Sequence, residues 1–340
     1  MGDAALPAGW TREFSKKQQR PYLYHAATQT SKWNIDDVIP PDQQPQQPLQ
    51  KPSRDDAAAA AAFVAPEAKR LKQDKQPKLA VIVPYRDDAS HSRAAQLDRF
   101  APHMARFLAD EAKLDEFKLF IVEQGDKRKF NRGKLLNAGF TLAAHEGFDT
   151  FVFHDVDLLP QPPVAKYYAA MAERPIHIAK CWSRYNKNPE YLGGIVTFSK
   201  HDFERIGGFP NVYWGWGGED DELKKRVTGA GLIVEAPPVD LANAIVDLEN
   251  KTLEEKLAGL RATKAEKCNV KWEVNAAHDA LRNAEPKPAW WGLPVSFKLV
   301  RKDEDRFAKC VVATVDIGLN FEADGTTAHW TNDKSEYSSG

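Results

Sequence analysis

The sequence predicts an α/β protein with a mostly parallel central sheet, preceded by a small aromatic-rich module. Three observations carry that prediction. Apolar strand runs alternate with helix-spaced segments from Lys78 onward. The strand runs end in polar and charged residues suited to a ligand. A stretch rich in Pro, Gln and Ala, residues 40–77, separates this region from the aromatic-rich start. Alternation of strands with helices favours parallel pairing, because each crossover helix returns the chain to begin the next strand in the same direction.

Residues 1–39 make up the first module. Leu6-Pro7-Ala8-Gly9-Trp10, Tyr22-Leu23-Tyr24, Thr28, Thr30 and Ser31-Lys32-Trp33 resemble a WW domain. The resemblance implies a three-stranded antiparallel sheet pinned by Trp10, with Tyr22 and Trp33 forming an apolar groove for a Pro-rich peptide. Such ligands arrive pre-ordered as polyproline II and lose little entropy on docking. Residues 40–77 read as a linker with almost nothing to bury. Its Ala57–Ala62 run is too short for a stable isolated helix. Its basic cluster, Ala68 to Lys75, resembles a nuclear-localisation signal, but a solvated linker kept soluble by its charge explains it better.

Residues 78–322 form the main domain, and 323–340 a tail. Leu79 to Pro84 is a buried-type strand run ending at proline. Ala94 to Leu108 places Leu97, Ala101, Met104, Ala105 and Leu108 at helical spacing. Phe117 to Val122 is a second strand, Lys134 to Ala144 a second helix, and Phe151 to Phe153 a third strand. In such sheets ligands bind beyond the carboxyl ends of the strands, where Pro84-Tyr85-Arg86 and Asp155-Val156-Asp157 stand.

Composition narrows the function. Lys+Arg (47) and Asp+Glu (48) nearly cancel, which argues against bulk nucleic-acid binding. No stretch reaches the roughly 18 apolar residues of a membrane span. The start, MGDAALPAGW, has neither a basic segment nor an apolar one, so it does not read as a signal peptide. Cys181, Cys268 and Cys310 are odd in number and widely spaced, as reduced thiols would be. These features together predict a cytoplasmic or nuclear protein and lend no support to the Golgi.

Two motifs carry chemistry. Asp155 and Asp157 stand at i and i+2 beyond an apolar strand, and on an extended chain they face the same side. That is what a divalent cation bound to phosphate oxygens asks for, since Mn²⁺ and Mg²⁺ take hard oxygen ligands and leave positions open for substrate. Further on, Tyr213-Trp214-Gly215-Trp216-Gly217-Gly218 runs into Glu219-Asp220-Asp221-Glu222. Glycines on both sides of Trp216 allow its indole to swing over a ligand. Trp faces stack on sugar rings. The acids then open a helix, Asp220 to Val227.

These blocks, with Phe130-Asn131-Arg132-Gly133-Lys134-Leu135-Leu136-Asn137, Tyr191-Leu192-Gly193-Gly194 and Thr314-Val315-Asp316-Ile317-Gly318, resemble the β-1,4-galactosyltransferase family, glycosyltransferase family 7. The resemblance implies a GT-A-type nucleotide-sugar transferase fold, a UDP-galactose donor, a glycan or protein acceptor, Mn²⁺ (or Mg²⁺), and inversion at the anomeric carbon. It implies donor contacts from Pro84, Tyr85, Arg86, Phe130, Arg132, Asp155, Tyr191 and Trp216. It makes Asp157 a metal ligand, Asp220 the catalytic base, and Trp214, Glu219 and Asp221 acceptor contacts. Tyr191, two residues before Gly193, matches the form that leaves room for the C2 hydroxyl of galactose but not for an N-acetyl group.

The chain departs from that family in three ways. Family members are usually Golgi type II membrane proteins, and neither their anchor nor their luminal disulfides have a visible counterpart. Their His-x-His metal ligands are also missing. Asp247 and Glu249 stand in the comparable stretch and are candidate all-oxygen replacements, or else an acidic lead-in to the capping box Thr252-Leu253-Glu254-Glu255. The second reading is therefore a catalytically inactive sugar-binding or scaffold protein.

Overall fold

The computed structural model describes residues 10–15, 20–25, 30–32, 76–87 and 92–318, except 171–172, 187, 189, 240, 242, 253, 256–257, 259–267, 269 and 289. The linker as far as residue 75, with its alanine run and basic cluster, lies outside the described residues, as do Trp33 and the tail 323–340. The chain divides into two units, Met1–Ala68 and Lys69–Gly340.

In the first unit β1 (Trp10–Ser15), β2 (Arg20–His25) and β3 (Thr30–Lys32) form an antiparallel sheet in that order. Trp10 pairs with His25, their rings 5.2 Å apart, and Leu23 is buried. Tyr22 lies on β2 opposite Glu13.

The second unit opens with β4 (Leu79–Tyr85), α1 (Arg93–Arg106), β5 (Phe117–Gln124), α2 (Arg132–His145) and β6 (Thr150–His154). There follow β7 (Leu158–Pro160), α3 (Ala165–Ala169), β8 (Ile176–His177), α4 (Ser183–Asn186), β9 (Ile195–Ser199), α5 (Lys200–Arg205) and α6 (Glu219–Gly229). The remainder is β10 (Ile245–Asp247), α7 (Lys271–Leu281), β11 (Lys298–Asp303) and β12 (Cys310–Asp316).

The main sheet has strand order β11-β12-β5-β4-β6-β9-β8. The pairs β12–β5, β5–β4 and β4–β6 are parallel, so the expected parallel core is present. The flanking pairs β11–β12, β6–β9 and β9–β8 are antiparallel. β4 is buried along its whole length, and its residues alternate between two cores. Leu79, Val81 and Val83 pack with Leu97 and Phe100 of α1 on one face. Ala80 and Ile82 pack with Leu135 and Leu136 of α2 on the other. The strand's period of two thus feeds both helix layers, which is why it reads as a continuous apolar run.

α1 begins at Arg93 and passes into a π-helical turn at Phe107–Glu111 beyond Pro102, so the helical spacing runs on as far as Leu108. α2 starts two residues earlier than expected because the Asn131 side chain accepts the Lys134 N–H at 2.9 Å and caps it. The short pair β7–β10 is antiparallel and brings Asp247 opposite Leu158. The ends of β4 and β6, the Gly193-Gly194 turn before β9 and the start of α6 surround the site.

Candidate active site

Arg132, the first residue of α2, is the hub of the site. Its Nε and Nη2 donate to Asp155 Oδ1 at 3.0 and 2.8 Å. Its Nη1 donates to Asp220 Oδ1 at 2.9 Å and lies 3.8 Å from Glu219. Residues more than 60 positions apart thus meet on one guanidinium. Burial works against its charge, but Asp155, Asp220 and Glu219 outweigh that and hold it firmly protonated. The acids respond in the opposite sense. Burial pushes the Asp220 carboxyl well above the ordinary carboxylate range; Arg132 pulls it down, and Glu219, Asp155 and Asp221 add to the rise. Glu219 is raised by burial as well, against the pull of Arg132.

The local chain is shaped around Asp220. A Cβ at residue 193 would lie 2.5 Å from the Tyr191 hydroxyl and 2.7 Å from Asp220 Cγ, so only glycine lets the two approach. Gly218 has φ +110 and sits against the Tyr213 ring, which lets the chain turn sharply into α6. The His177 ring is 2.9 Å from the Gly193 carbonyl through Nε2, and Tyr185 packs on Tyr191 with ring centroids 4.5 Å apart. These contacts fix the Tyr191 ring beside the base candidate.

On the strand-end side, Arg86 Nη1 donates to the Arg128 carbonyl at 2.5 Å and its guanidinium lies 5.5 Å from the Phe130 ring centre. Tyr85 is buried, and burial pushes its phenol up to about 12. Gly215 N–H donates to the Phe130 carbonyl at 2.8 Å, tying the Trp-Gly loop to the Phe130–Arg132 block. Pro84, Tyr85, Arg86, Phe130, Arg132, Asp155 and Tyr191 therefore belong to one neighbourhood around the ends of β4 and β6.

The two acids of the Asp155–Asp157 motif bond different guanidiniums, although both reinforce the charge on Arg93. Leu158 N–H bonds the Asp155 carbonyl at 3.3 Å, so these residues form a turn rather than the extended strand expected. Asp155 faces Arg132, whereas buried Asp157 meets Arg93 Nη1 at 3.3 Å. Arg93 Nη2 also meets Glu249 at 2.8 Å, and its Nη1 donates to Gln96 at 2.6 Å. Leu248 N–H bonds the Asp157 carbonyl at 2.7 Å, which holds the 247–249 stretch alongside the motif. Asp247 turns away to Arg184 at 2.9 Å and accepts the Glu249 N–H at 3.0 Å. Of the two proposed replacement ligands, Glu249 is the one gathered with Asp157 on a single cation. The capping box forms as well: Thr252 and Glu255 exchange side-chain-to-backbone bonds at 2.7 and 3.1 Å. Among the described residues no three His, Cys, Asp or Glu side chains converge on one point.

The aromatic loop splits its two tryptophans. Trp216 is 52% exposed, free to cover a ligand. Trp214, expected at the acceptor, is 2% exposed and packs into the core beside Phe209 and Leu223. That is a correction, and its reason is geometric: the glycine between the two residues turns the chain, so one indole anchors the loop and the other rides on it. Glu219 stays at the Arg132 cluster, while Asp221 faces outward and pairs with Lys271 at 2.8 Å. Sequence reasoning missed Arg93, Arg184 and Lys271. The one available signal was Arg93 at a helix start, where a cation opposes the helix dipole unless acids surround it.

Comparison with known proteins bears on this geometry. Residues 59–170 match the N-terminal region of glycosyl transferase group 7, and residues 173–247 match the N-terminal domain of galactosyltransferase. Rat β-1,4-galactosyltransferase 4 is 28% identical over 225 residues, 65% of this chain and 63% of the relative. Drosophila β-1,4-galactosyltransferase 7 is 38% identical over 162 residues, 47% of this chain and 48% of the relative. The chain thus spans about half to just under two-thirds of the length of these curated relatives. The catalytic domain of the Drosophila enzyme, solved with xylobiose, superposes with TM-score 0.58 at 27% identity, covering 75% of this chain and 99% of that one. A mutant of it, solved with manganese, UDP-Gal and xylobiose, superposes with TM-score 0.59 at 26% identity, covering 76% and 99%. The fold is therefore the GT-A-like nucleotide-sugar transferase fold.

These relatives overturn the cytoplasmic or nuclear expectation, because they belong to a family of Golgi residents. The cysteine argument fails for a physical reason. Cys181, Cys268 and Cys310 are all buried, and burial pushes their thiols up to about 11, about 11 and about 12. Burial alone keeps them unreactive, so their number says nothing of the compartment. Among the described residues no helix is long and apolar enough to cross a membrane. With matched segments that together cover more than half of its 340 residues, the chain belongs to the group 7 galactosyltransferase family.

Proposed function

We propose that this protein transfers galactose from UDP-galactose to an acceptor hydroxyl with inversion, in a reaction dependent on Mn²⁺ or Mg²⁺. One observation carries the reading: Asp220 is held by Arg132, which also grips Asp155, with Gly193 and Tyr191 packed against the same carboxyl. A single oriented carboxylate is what an inverting transfer needs. Ionised Asp220 takes the acceptor proton as its oxygen attacks the anomeric carbon, and the UDP–sugar bond breaks on the opposite face. Arg132 fixes the carboxylate's direction. Trp216 covers the sugar and excludes water, which would otherwise hydrolyse the donor. Glu219 and Asp221 flank the base and bond acceptor hydroxyls. Pro84, Tyr85, Arg86 and Phe130 receive the uridine end.

The acids of the site outnumber its cations: Asp155, Asp157, Glu219, Asp220 and Glu249 face Arg93 and Arg132. A diphosphate would be repelled there unless a divalent cation came with it. Asp157 and Glu249, already drawn to one guanidinium, have the hard-oxygen chemistry that Mn²⁺ and Mg²⁺ take, with substrate phosphates completing the shell. The residues present fit a divalent ion, and the Drosophila relative was solved with manganese and UDP-Gal. When bound, the ion neutralises charge on the departing UDP as a Lewis acid. Asp247 supports Glu249 through its backbone bond.

The N-terminal unit is proposed to bind Pro-rich peptides through Tyr22 and Trp33, a reading supported by its three-stranded antiparallel sheet. Loss of peptide binding in Trp33→Ala, with transfer intact, would bear it out. For the main reading, UDP release is measured with and without an acceptor and a metal. Binding of UDP-galactose without transfer to any acceptor would favour the inactive sugar-binding alternative.

A further inference from the structure

α7 lies beyond the segments matched to the family, the last of which ends at residue 247. It nevertheless borders the acid-loaded start of α6. Lys271 pairs with Asp221 at 2.8 Å, and Lys225 pairs with Asp279 at 2.9 Å. The Tyr213 hydroxyl, just before the Trp-Gly loop, donates to Asn275 Oδ1 at 2.6 Å. Cys268 N–H bonds the Trp216 carbonyl at 3.2 Å, and the Lys271 N–H bonds the Cys268 carbonyl at 3.3 Å. The first turn of α7 is thus joined to the Trp216 loop and to α6 by several contacts, and the two helices run side by side in the same sense.

Trp272 stands on that first turn. Residues 272, 275 and 279 share a flank at helical spacing, and Asn275 and Asp279 reach Tyr213 and α6 from it. Trp272 lies on the same flank, beside the Asp221 ion pair, yet its side chain is 78% exposed. Trp216, whose carbonyl accepts the Cys268 N–H just before α7, is 52% exposed. A tryptophan left in water forgoes the burial that normally fixes it, and an exposed indole offers an apolar face with a polar edge, the surface a pyranose ring recognises.

We infer that Trp272 is the outer platform of an acceptor subsite, stacking on the second ring of a β-linked oligosaccharide whose terminal ring lies under Trp216 at Asp220. The inference rests on the transferase reading above. It assigns the acceptor class as a chain of at least two sugars, with the ring next to the reacting one held by Trp272 and Lys271 at its edge.

The test uses the full chain with UDP-galactose and two acceptor pairs: methyl β-xyloside against xylobiose, and N-acetylglucosamine against its β-1,4 dimer. For at least one pair the wild type has a lower KM for the disaccharide. In Trp272→Ala that KM rises about fivefold to tenfold, the range one stacked ring supplies, and the preference over the monosaccharide collapses. Trp272→Phe keeps most of the preference, and the melting temperature of both variants stays at the wild-type value, which a merely structural role would not allow. An unchanged disaccharide preference in Trp272→Ala, or equal KM values for both members of each pair in the wild type, overturns the inference while leaving the transferase reading in place. Failure of the wild type to transfer galactose to any of the four acceptors overturns the inference; the transferase reading fails with it only if a panel of further glycan and protein acceptors is also refused.

Discussion

Replacing Asp220 by asparagine keeps the shape of the side chain and removes its ability to take a proton. Asp220 Oδ1 accepts from Arg132 at 2.9 Å, and an asparagine carbonyl can accept there equally, so Arg132 keeps its place and with it Asp155. The loss is then confined to proton abstraction, worth about 10²–10⁴ in kcat or about 3–5 kcal/mol of barrier. The KM for UDP-galactose stays within about threefold, because donor contacts survive. The pH profile gives a second readout. Burial, reinforced by Glu219 and Asp155 against the pull of Arg132, raises the Asp220 carboxyl above its ordinary range. The base works ionised, so the wild-type rate climbs with pH and its rising limb lies above the ordinary carboxylate range. Linkage runs the other way. The folded state holds this proton more tightly than the unfolded chain, so its contribution to stability is full below the ordinary carboxylate pKa. That contribution is lost as pH rises through the elevated one. Asp220→Asn flattens the kinetic limb and removes that decline in stability. Steady-state UDP release across pH, paired with thermal melts, measures both. A variant that retains kcat within about threefold of wild type, or keeps the limb unchanged, refutes the assignment of the base.

Three further predictions follow from the same geometry. Tyr191→Leu opens the space beside Gly193 and raises the relative use of UDP-N-acetylgalactosamine against UDP-galactose by about tenfold or more; competition between the two donors measures it, and an unchanged ratio contradicts the steric argument. Glu249→Ala weakens Mn²⁺ binding in the presence of UDP by about 10–100-fold, and Asp247→Ala, which loses only the support that Asp247 lends to Glu249, weakens it less; calorimetric titration separates them, and the reverse order would assign the ligand to Asp247. Gly193→Ala drives a methyl into the Tyr191 hydroxyl and Asp220, displaces the base, and lowers kcat by about 10²-fold; full activity in that variant would show that the carboxyl is not seated where transfer occurs.

The legible part of the fold was the part written in local pattern. β4 is apolar on both faces because both helix layers pack on it, and its continuous run announces a central parallel strand. β8, β9 and β11 were harder to read. β8 has two residues, and the surface residues of β11 carry no alternation that burial would impose. At the site, the acids and aromatics were visible because their spacing is dense and unusual. Their counter-ions were not. Arg93 reaches Glu249 across 156 positions and Arg132 reaches Asp220 across 88, and no periodicity encodes such meetings. The turn at Asp155–Asp157 and the inward rotation of Trp214 depend on backbone dihedrals set by their neighbours, which composition does not carry. Spacing alone made Asp247 a candidate metal ligand, and no spacing announced its ion pair with Arg184.

The most direct test of the account is the product itself. The full chain is incubated with UDP-galactose, Mn²⁺ and a β-linked disaccharide acceptor, and the new linkage is read by proton NMR, with a parallel sample containing a chelator. The account predicts release of UDP matched by a β-galactosidic product, both abolished by the chelator and both lost in Asp220→Asn. An α-linked product, or transfer that continues undiminished without a divalent cation, would contradict it.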